Sequence, residues 1–299
     1  MRNKKYLIIN ADDFGMSSEF NQAICCLMNQ GIVTSTSIMA NGRAYEEAIL
    51  DVKKYKLDNI GVHLTLTCDG FENKNKITYS SLTHAKSLED KNGVLFCSYQ
   101  DLAANASDED IINEIYSQIM KIKNDGIEYT HIDNHMYSVI HYLGYRGYTC
   151  FYKAIHRLKI NRKIGFRHAL KKHDIDGIRS VYPGRKIQPY ALGMNLLFHL
   201  RCPDFVFTLP YASPLSESVE KKCDLLNTFF SNIKNGVSEL HVHPAVFSEE
   251  LKNSNPTWKD RTEEYEALKC YSKKLLLDKY GINLISYADL IKDKAMKIT

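Results

Sequence analysis

Within fifteen residues of its start the chain runs from an apolar strand signal straight into two adjacent carboxylates. Tyr6-Leu7-Ile8-Ile9 reads as a buried strand, and Asn10-Ala11-Asp12-Asp13-Phe14-Gly15 ends it in a glycine turn. Continuous apolar runs of this kind suit strands covered on both faces, as in a parallel sheet. Carboxylates at the C-terminal end of such a strand have no role in a core, so they call for a metal, an arginine or a substrate. The opening stretch therefore predicts a site, and the rest of the chain has to supply its other members.

Strand and helix patterns alternate about eight times along the 299 residues. Further strands are predicted at 33–39, 59–67, 128–133, 163–167, 205–207, 237–242 and 283–286. Between them helical patterns run to residue 30 and over 44–56, 107–123, 145–158, 216–233 and 261–279, with a last helix at the C-terminus. A chain a little longer than ~250 residues with this alternation predicts a (β/α) TIM-like barrel, one catalytic domain over 1–299. A doubly wound open sheet is the runner-up, but no Gly-rich phosphate loop follows the first strand. Segments 68–105 and 168–203 break the pattern. They are too long for ordinary connections and are expected to be insertions in the βα loops or lid segments.

Charge and cysteine usage exclude several classes. A formal charge of +4, with Lys and Arg interspersed among acids, gives no nucleic-acid footprint, and the basic stretch from Arg157 to Lys172 reads as a solvated surface. The eight cysteines lack metal-type or secretory spacing; Cys25 and Cys26 diverge by ~100° on a helix. Reduced, packed thiols suit a reducing compartment. Arg2, Lys4 and Lys5 precede an apolar run too short for a signal sequence, and nothing approaches the ~20 apolar residues of a membrane span. The expectation is a cytoplasmic protein with no membrane or nucleic-acid partner, its oligomeric state, a homodimer included, left open.

Polar residues out of place on buried strands fall at strand ends: Asp12 and Asp13, then His63, His135 and His243. Four strands contribute, as a site at a barrel mouth requires. Alternation puts Asn10 with Asp12, His131 with Asp133, and His241 with His243 on shared faces, and sends the adjacent Asp12 and Asp13 to opposite sides. Taken singly, each histidine reads as an ordinary hydrogen-bonded residue and the aspartates as a helix-capping cluster. Their joint placement favours a functional site. His84, His141, His156, His168, His173 and His199 lack that context and read as structural or surface residues. Arg261 and Glu264, one turn apart on a predicted helix, read as a surface pair.

These landmarks resemble the YdjC-like carbohydrate deacetylases, which include bacterial chitooligosaccharide deacetylases. The resemblance is carried by residues 10–15, by Gly31-Ile32-Val33-Thr34-Ser35-Thr36 with Asn41-Gly42, and by Gly61-Val62-His63-Leu64. It continues through Thr130-His131-Ile132-Asp133-Asn134-His135 to His243-Pro244-Ala245, in family order. It implies a distorted (β/α) barrel, a small carbohydrate substrate and one divalent metal held by Asp13, His63 and His135. It also implies Asp12 as general base and His243 as general acid. The family favours Mg²⁺, whereas the mixed oxygen and nitrogen donors also suit Zn²⁺, Mn²⁺ or Co²⁺. His131 and Asp133 are candidates to orient a ligand imidazole or tune a catalytic group. After His135 this chain reads Met136-Tyr137-Ser138-Val139 where many relatives continue with further histidines. Competing readings are a metal-dependent phosphoesterase, a two-carboxylate glycosidase, or a carbohydrate-binding relative without catalysis. The glycosidase suits adjacent aspartates poorly, because its carboxyl groups must flank the scissile bond.

Overall fold

The opening run forms β1 (Lys5–Phe14), in which every residue from Leu7 onward is buried. The computed structural model describes residues 4–69, 77–160, 162–212 and 216–292. In chain order the remaining strands are β2 (Ser35–Ile38), β3 (Ile60–Leu64), β4 (His131–Asn134), β5 (Ile164–Phe166) and β6 (Arg179–Ser180). They are followed by β7 (Leu200–Arg201), β8 (Phe205–Thr208), β9 (Gly236–Val242) and β10 (Ile282–Leu284). The sheet runs β6-β8-β9-β1-β2-β3-β4-β5-β7, parallel throughout except at the β6–β8 edge. β10 pairs with the first half of β1, over Lys5 to Leu7, while β2 pairs with its second half from Asn10. Among the described residues the outermost strands β6 and β7 do not pair with each other. The fold is a distorted (β/α) barrel, curled but unclosed.

Alternation along β1 divides the two sides of the sheet. Leu7, Ile9 and Ala11 belong to the large core under the helices, whereas Ile8 joins Val237, Tyr287 and Leu290 in a small apolar plug inside the barrel. Above that plug the inward positions turn polar, beginning with the buried Asn10 and Glu239. The interior is thus apolar at the bottom and charged at the mouth.

Helix boundaries follow local chemistry. Helix Ser18–Gln30 ends at Gly31 with φ 75°, a conformation glycine adopts without strain. Helix Asp108–Asn124 starts on Ser107, whose hydroxyl accepts the Asp110 N–H at 3.1 Å. The single helix expected over 261–279 is two, Trp258–Lys269 and Lys273–Tyr280, because Ser272 caps the second through the Leu275 N–H. Segment 168–203 is not structureless: it holds β6, helix Gln188–Leu197 and β7. Within 68–105 residues 70–76 lie outside the described residues. The remainder is largely irregular, and Glu114 of the neighbouring helix ties it down by accepting the Leu82 and Thr83 N–H groups at 2.9 and 3.0 Å.

Candidate functional site

The two aspartates do not point to opposite sides. From Ala11 to Phe14 β1 advances three residues while its partner advances two, Thr36 to Ile38, so β1 carries one extra residue. Asp13 takes φ 68°, and this bulge turns both carboxylates into the barrel. Strand alternation failed here because it holds only where pairing is regular.

His63 of β3 and His135 just after β4 meet Asp13. Its Oδ1 lies 3.2 Å from His63 Nε2 and 3.1 Å from His135 Nδ1. Each imidazole has a carboxylate behind its other nitrogen: Asp133, its neighbour in register, stands 2.6 Å from His63 Nδ1, and Asp69 stands 2.9 Å from His135 Nε2. Burial depresses the His63 imidazole, but Asp133 and Asp12 more than offset that and raise its pKa to about 10. His135 rises to about 9 against the same burial, through Asp69 and Asp13. Asp69 carried no signal in the sequence, since it sits at the entry of the irregular segment.

Donor atoms of Asp13, His63 and His135 all lie within 4.8 Å of one another. One carboxylate oxygen and two imidazole nitrogens, each imidazole backed by a carboxylate, fit a single divalent cation with coordination positions left over. Charge argues the same way. Asp12, Asp133 and Glu239 are buried around one guanidinium, that of Arg167, and Asp13 lies between two imidazoles whose raised pKa values show how strongly these carboxylates favour a cation there. A second grouping, Asp12, His63 and Asp133, is also close, but Arg167 already occupies it.

Arg167 overturns the reading of 157–172 as a solvated face. It is 5 % exposed, and its guanidinium grips both oxygens of Asp12 at 2.6 Å, Asp133 at 2.7 Å and Glu239 at 2.7 Å. Burial raises the Asp12 carboxyl, yet Arg167 and His63 dominate and hold it well below the usual carboxylate range. Burial lifts Glu239 to about 7 despite Arg167. Glu239 had a legible signal, since it shares the inward face of His241 and His243, whereas Arg167 is hidden in its basic run. His131 bonds to neither the His63 nor the His135 imidazole. Its Nδ1 lies 3.0 Å from the Thr130 hydroxyl, its ring stacks on Tyr287 at 3.9 Å, and it fills space that a side chain at Gly61 would take.

The opposite wall comes from β9. His243 Nε2 lies 3.8 Å from Asp12 Oδ2, and His243 Nδ1 bonds the Tyr211 hydroxyl. His241 Nε2 meets the Tyr137 hydroxyl at 2.8 Å. Tyr137 and Met136 follow His135 with φ 55° and 52°, a left-handed pair that aims this turn at the cavity. Burial and the Arg261 charge take His243 down to about 3, and burial takes His241 well below the usual imidazole range.

Arg261 and Glu264 are not a surface pair. Glu264 is fully buried and accepts the His243 backbone N–H at 3.1 Å, while Arg261 lies 4.4 Å over the Tyr211 ring and lines the cavity. The cavity, about 280 Å³, reaches Asp12, Asp13, His135 and His243 on its floor and Tyr99, Arg179 and Arg261 on its walls. Such a pocket presents a buried polar floor to a small ligand.

A family model described as YdjC-like protein matches residues 6–277. The chain is 27% identical over 287 residues to carbohydrate deacetylase 1 of Listeria innocua serovar 6a, covering 95% of this chain and 99% of that one. To the carbohydrate deacetylase of Clostridium beijerinckii it is 26% identical over 286 residues, with coverage of 95% and 99%. The crystal structure of a proposed cellobiose-phosphate cleavage protein from Enterococcus faecalis V583 shares its fold, with TM-score 0.71 and 24% identity over 97% of this chain and 100% of that one. Among the described residues no helix is long and apolar enough to cross a membrane.

Proposed function

This chain belongs to the YdjC-like family, and from that premise we propose that it is a metal-dependent deacetylase of N-acetylated sugars or oligosaccharides of the chitooligosaccharide type. The relatives named carbohydrate deacetylase support the reaction and the substrate class. The observation that carries the reading is the adjacency of two different sets of groups. Asp13, His63 and His135 form a carboxylate-backed donor set, and Asp12 and His243 stand beside it within 3.8 Å of each other. Amide hydrolysis needs both: an electrophile for the acetyl carbonyl, and groups that move two protons.

In this reading Asp13, His63 and His135 hold one divalent ion, Mg²⁺ by family preference and Zn²⁺, Mn²⁺ or Co²⁺ by donor chemistry. That ion supplies Lewis-acid polarisation of the acetyl carbonyl and a lowered pKa for its water. Asp133 orients His63 through their hydrogen bond. Asp12, kept ionised by Arg167, accepts the proton of the attacking water. His243 is neutral at rest, so its Nε2, 3.8 Å from Asp12, takes up the proton that Asp12 accepted from water and delivers it to the departing amine nitrogen. The proposal includes one catalytic domain over the whole chain and a cytoplasmic setting, the latter supported by eight free cysteines.

The test is acetate release from mono-, di- and tri-N-acetylated glycans by protein stripped with a chelator and reloaded with each metal. Turnover should vanish on stripping and return on reloading. Asp12→Asn should keep its metal and lose turnover by more than about 10²-fold. Chelator-insensitive turnover would refute the metal, and near-normal turnover in Asp12→Asn would refute the base.

A further inference from the structure

The neighbours of His243 decide which of its two ring nitrogens works. Its Nδ1 is bonded to the Tyr211 hydroxyl, and the Tyr211 oxygen lies 3.3 Å from Thr208 Oγ1. Thr208 Oγ1 in turn donates to the Leu209 carbonyl at 3.4 Å. A carbonyl only accepts, so with Thr208 donating to it the series runs in one direction. Thr208 places its one hydrogen on Leu209 O and accepts from Tyr211. In that direction Tyr211 has no hydrogen left for His243 and accepts from it. His243 therefore carries its proton on Nδ1 and leaves Nε2 bare, on the side where Asp12 stands 3.8 Å away.

We propose that Tyr211, backed by Thr208, is a positioning residue that fixes the His243 tautomer and makes Nε2 its working nitrogen. This rests on the deacetylase reading, in which His243 both takes and gives a proton. The direction Nδ1–H to Tyr211 to Thr208 to Leu209 O suits His243 before and after Nε2 is protonated. No hydroxyl has to turn when the proton arrives or leaves, so the site is preorganised for both states. The opposite direction would put a hydrogen on Nε2 at rest, where it could accept nothing.

The surroundings hold the tyrosine in this role. Its ring meets the His243 ring edge-on, with centroids 5.3 Å apart and planes at 83°. Arg261 lies 4.4 Å over the Tyr211 ring, which fixes the ring by a cation–π contact. Glu264 anchors the His243 backbone, so the imidazole is located from three sides. Tyr211 follows β8 and Thr208 ends it, so strand β8 presents both hydroxyls next to β9.

The test combines spectroscopy with kinetics. In ¹⁵N-edited NMR of the full-length protein, with His243→Gln used to assign the signal, His243 Nε2 should appear as an unprotonated nitrogen and Nδ1 as protonated. Tyr211→Phe should lower kcat by roughly 10–100-fold, the size expected when a hydrogen bond to a charged group is lost, with KM within about twofold. Its kcat–pH profile should move to lower pH, since imidazolium loses its acceptor. Thr208→Val should act in the same direction by a smaller factor. A protonated Nε2 at rest, or a Tyr211→Phe enzyme with unchanged kcat and pH profile, would overturn the proposal. If the wild-type protein released no acetate from any glycan, the deacetylase reading would fail, and the NMR result would still decide the tautomer.

Discussion

Four histidines stand at the barrel mouth and fall into two pairs of nearly equal spacing. The His63 and His135 ring centroids are 5.5 Å apart, and those of His241 and His243 are 5.7 Å apart. Burial is common to all four, yet the first pair is pushed up to about 10 and 9 while His243 falls to about 3. The difference lies in what stands behind each ring. Asp133 and Asp69 back the first pair, and the Tyr137 and Tyr211 hydroxyls back the second. A carboxylate stabilises positive charge on or near an imidazole, whereas a hydroxyl in a buried site leaves desolvation to win. Within one barrel mouth the β3–β4 side favours positive charge and the β9 side favours the neutral imidazole.

The comparison breaks most severely if the metal side is truncated. His63→Ala or His135→Ala should lose both the bound metal and more than about 10³-fold in activity, measured by metal content and acetate release. An alanine variant that kept its full metal content would dissolve the distinction between the pairs. A smaller and sharper test is Asp133→Asn, which leaves His63 in place but removes the charge behind it. Metal affinity should fall by roughly 10–100-fold in a titration of the stripped protein. No change in affinity would show that the backing carboxylate is dispensable.

Metal-free protein provides the next test, through pH. His63 and His135 have folded values near 10 and 9, above the ordinary 6.5, so the folded state binds their protons more tightly than the unfolded chain does. Their stabilising contribution is complete below pH 6.5 and is lost as the pH rises through the folded values. The melting temperature of stripped protein should fall between those limits by roughly 2 °C or more, and added metal should flatten the fall by taking the protons' place. A melting temperature that rose across this window would contradict the assignment. The smallest effect is expected from Tyr137→Phe on the neutral side: about 1 kcal/mol in chemical denaturation and a metal affinity within about twofold.

Much of this arrangement is legible in the amino-acid sequence. The apolar run into Asp12 and Asp13, the alternation of strands with helices, and the strand-end positions of His63, His135 and His243 are local patterns, and a parallel barrel converts strand ends into neighbours. Distances between groups on different strands are not local. Arg167 sits in a run of basic residues that looks solvated, and only the carboxylates of β1, β4 and β9 closing around it show that it is buried. Arg261 and Glu264 look like an exposed helical pair until the helix break at Cys270 and the packing of Trp258–Lys269 turn them towards His243. The extra residue in β1 is likewise visible only against β2, because a bulge is a mismatch between two strands. The sequence by itself determined that Asp12, Asp13, His63, His135 and His243 stand at strand ends facing one mouth. Only the tertiary structure decided which of them carry charge and which stay neutral, because that depends on the partner each group meets across the barrel once water is gone.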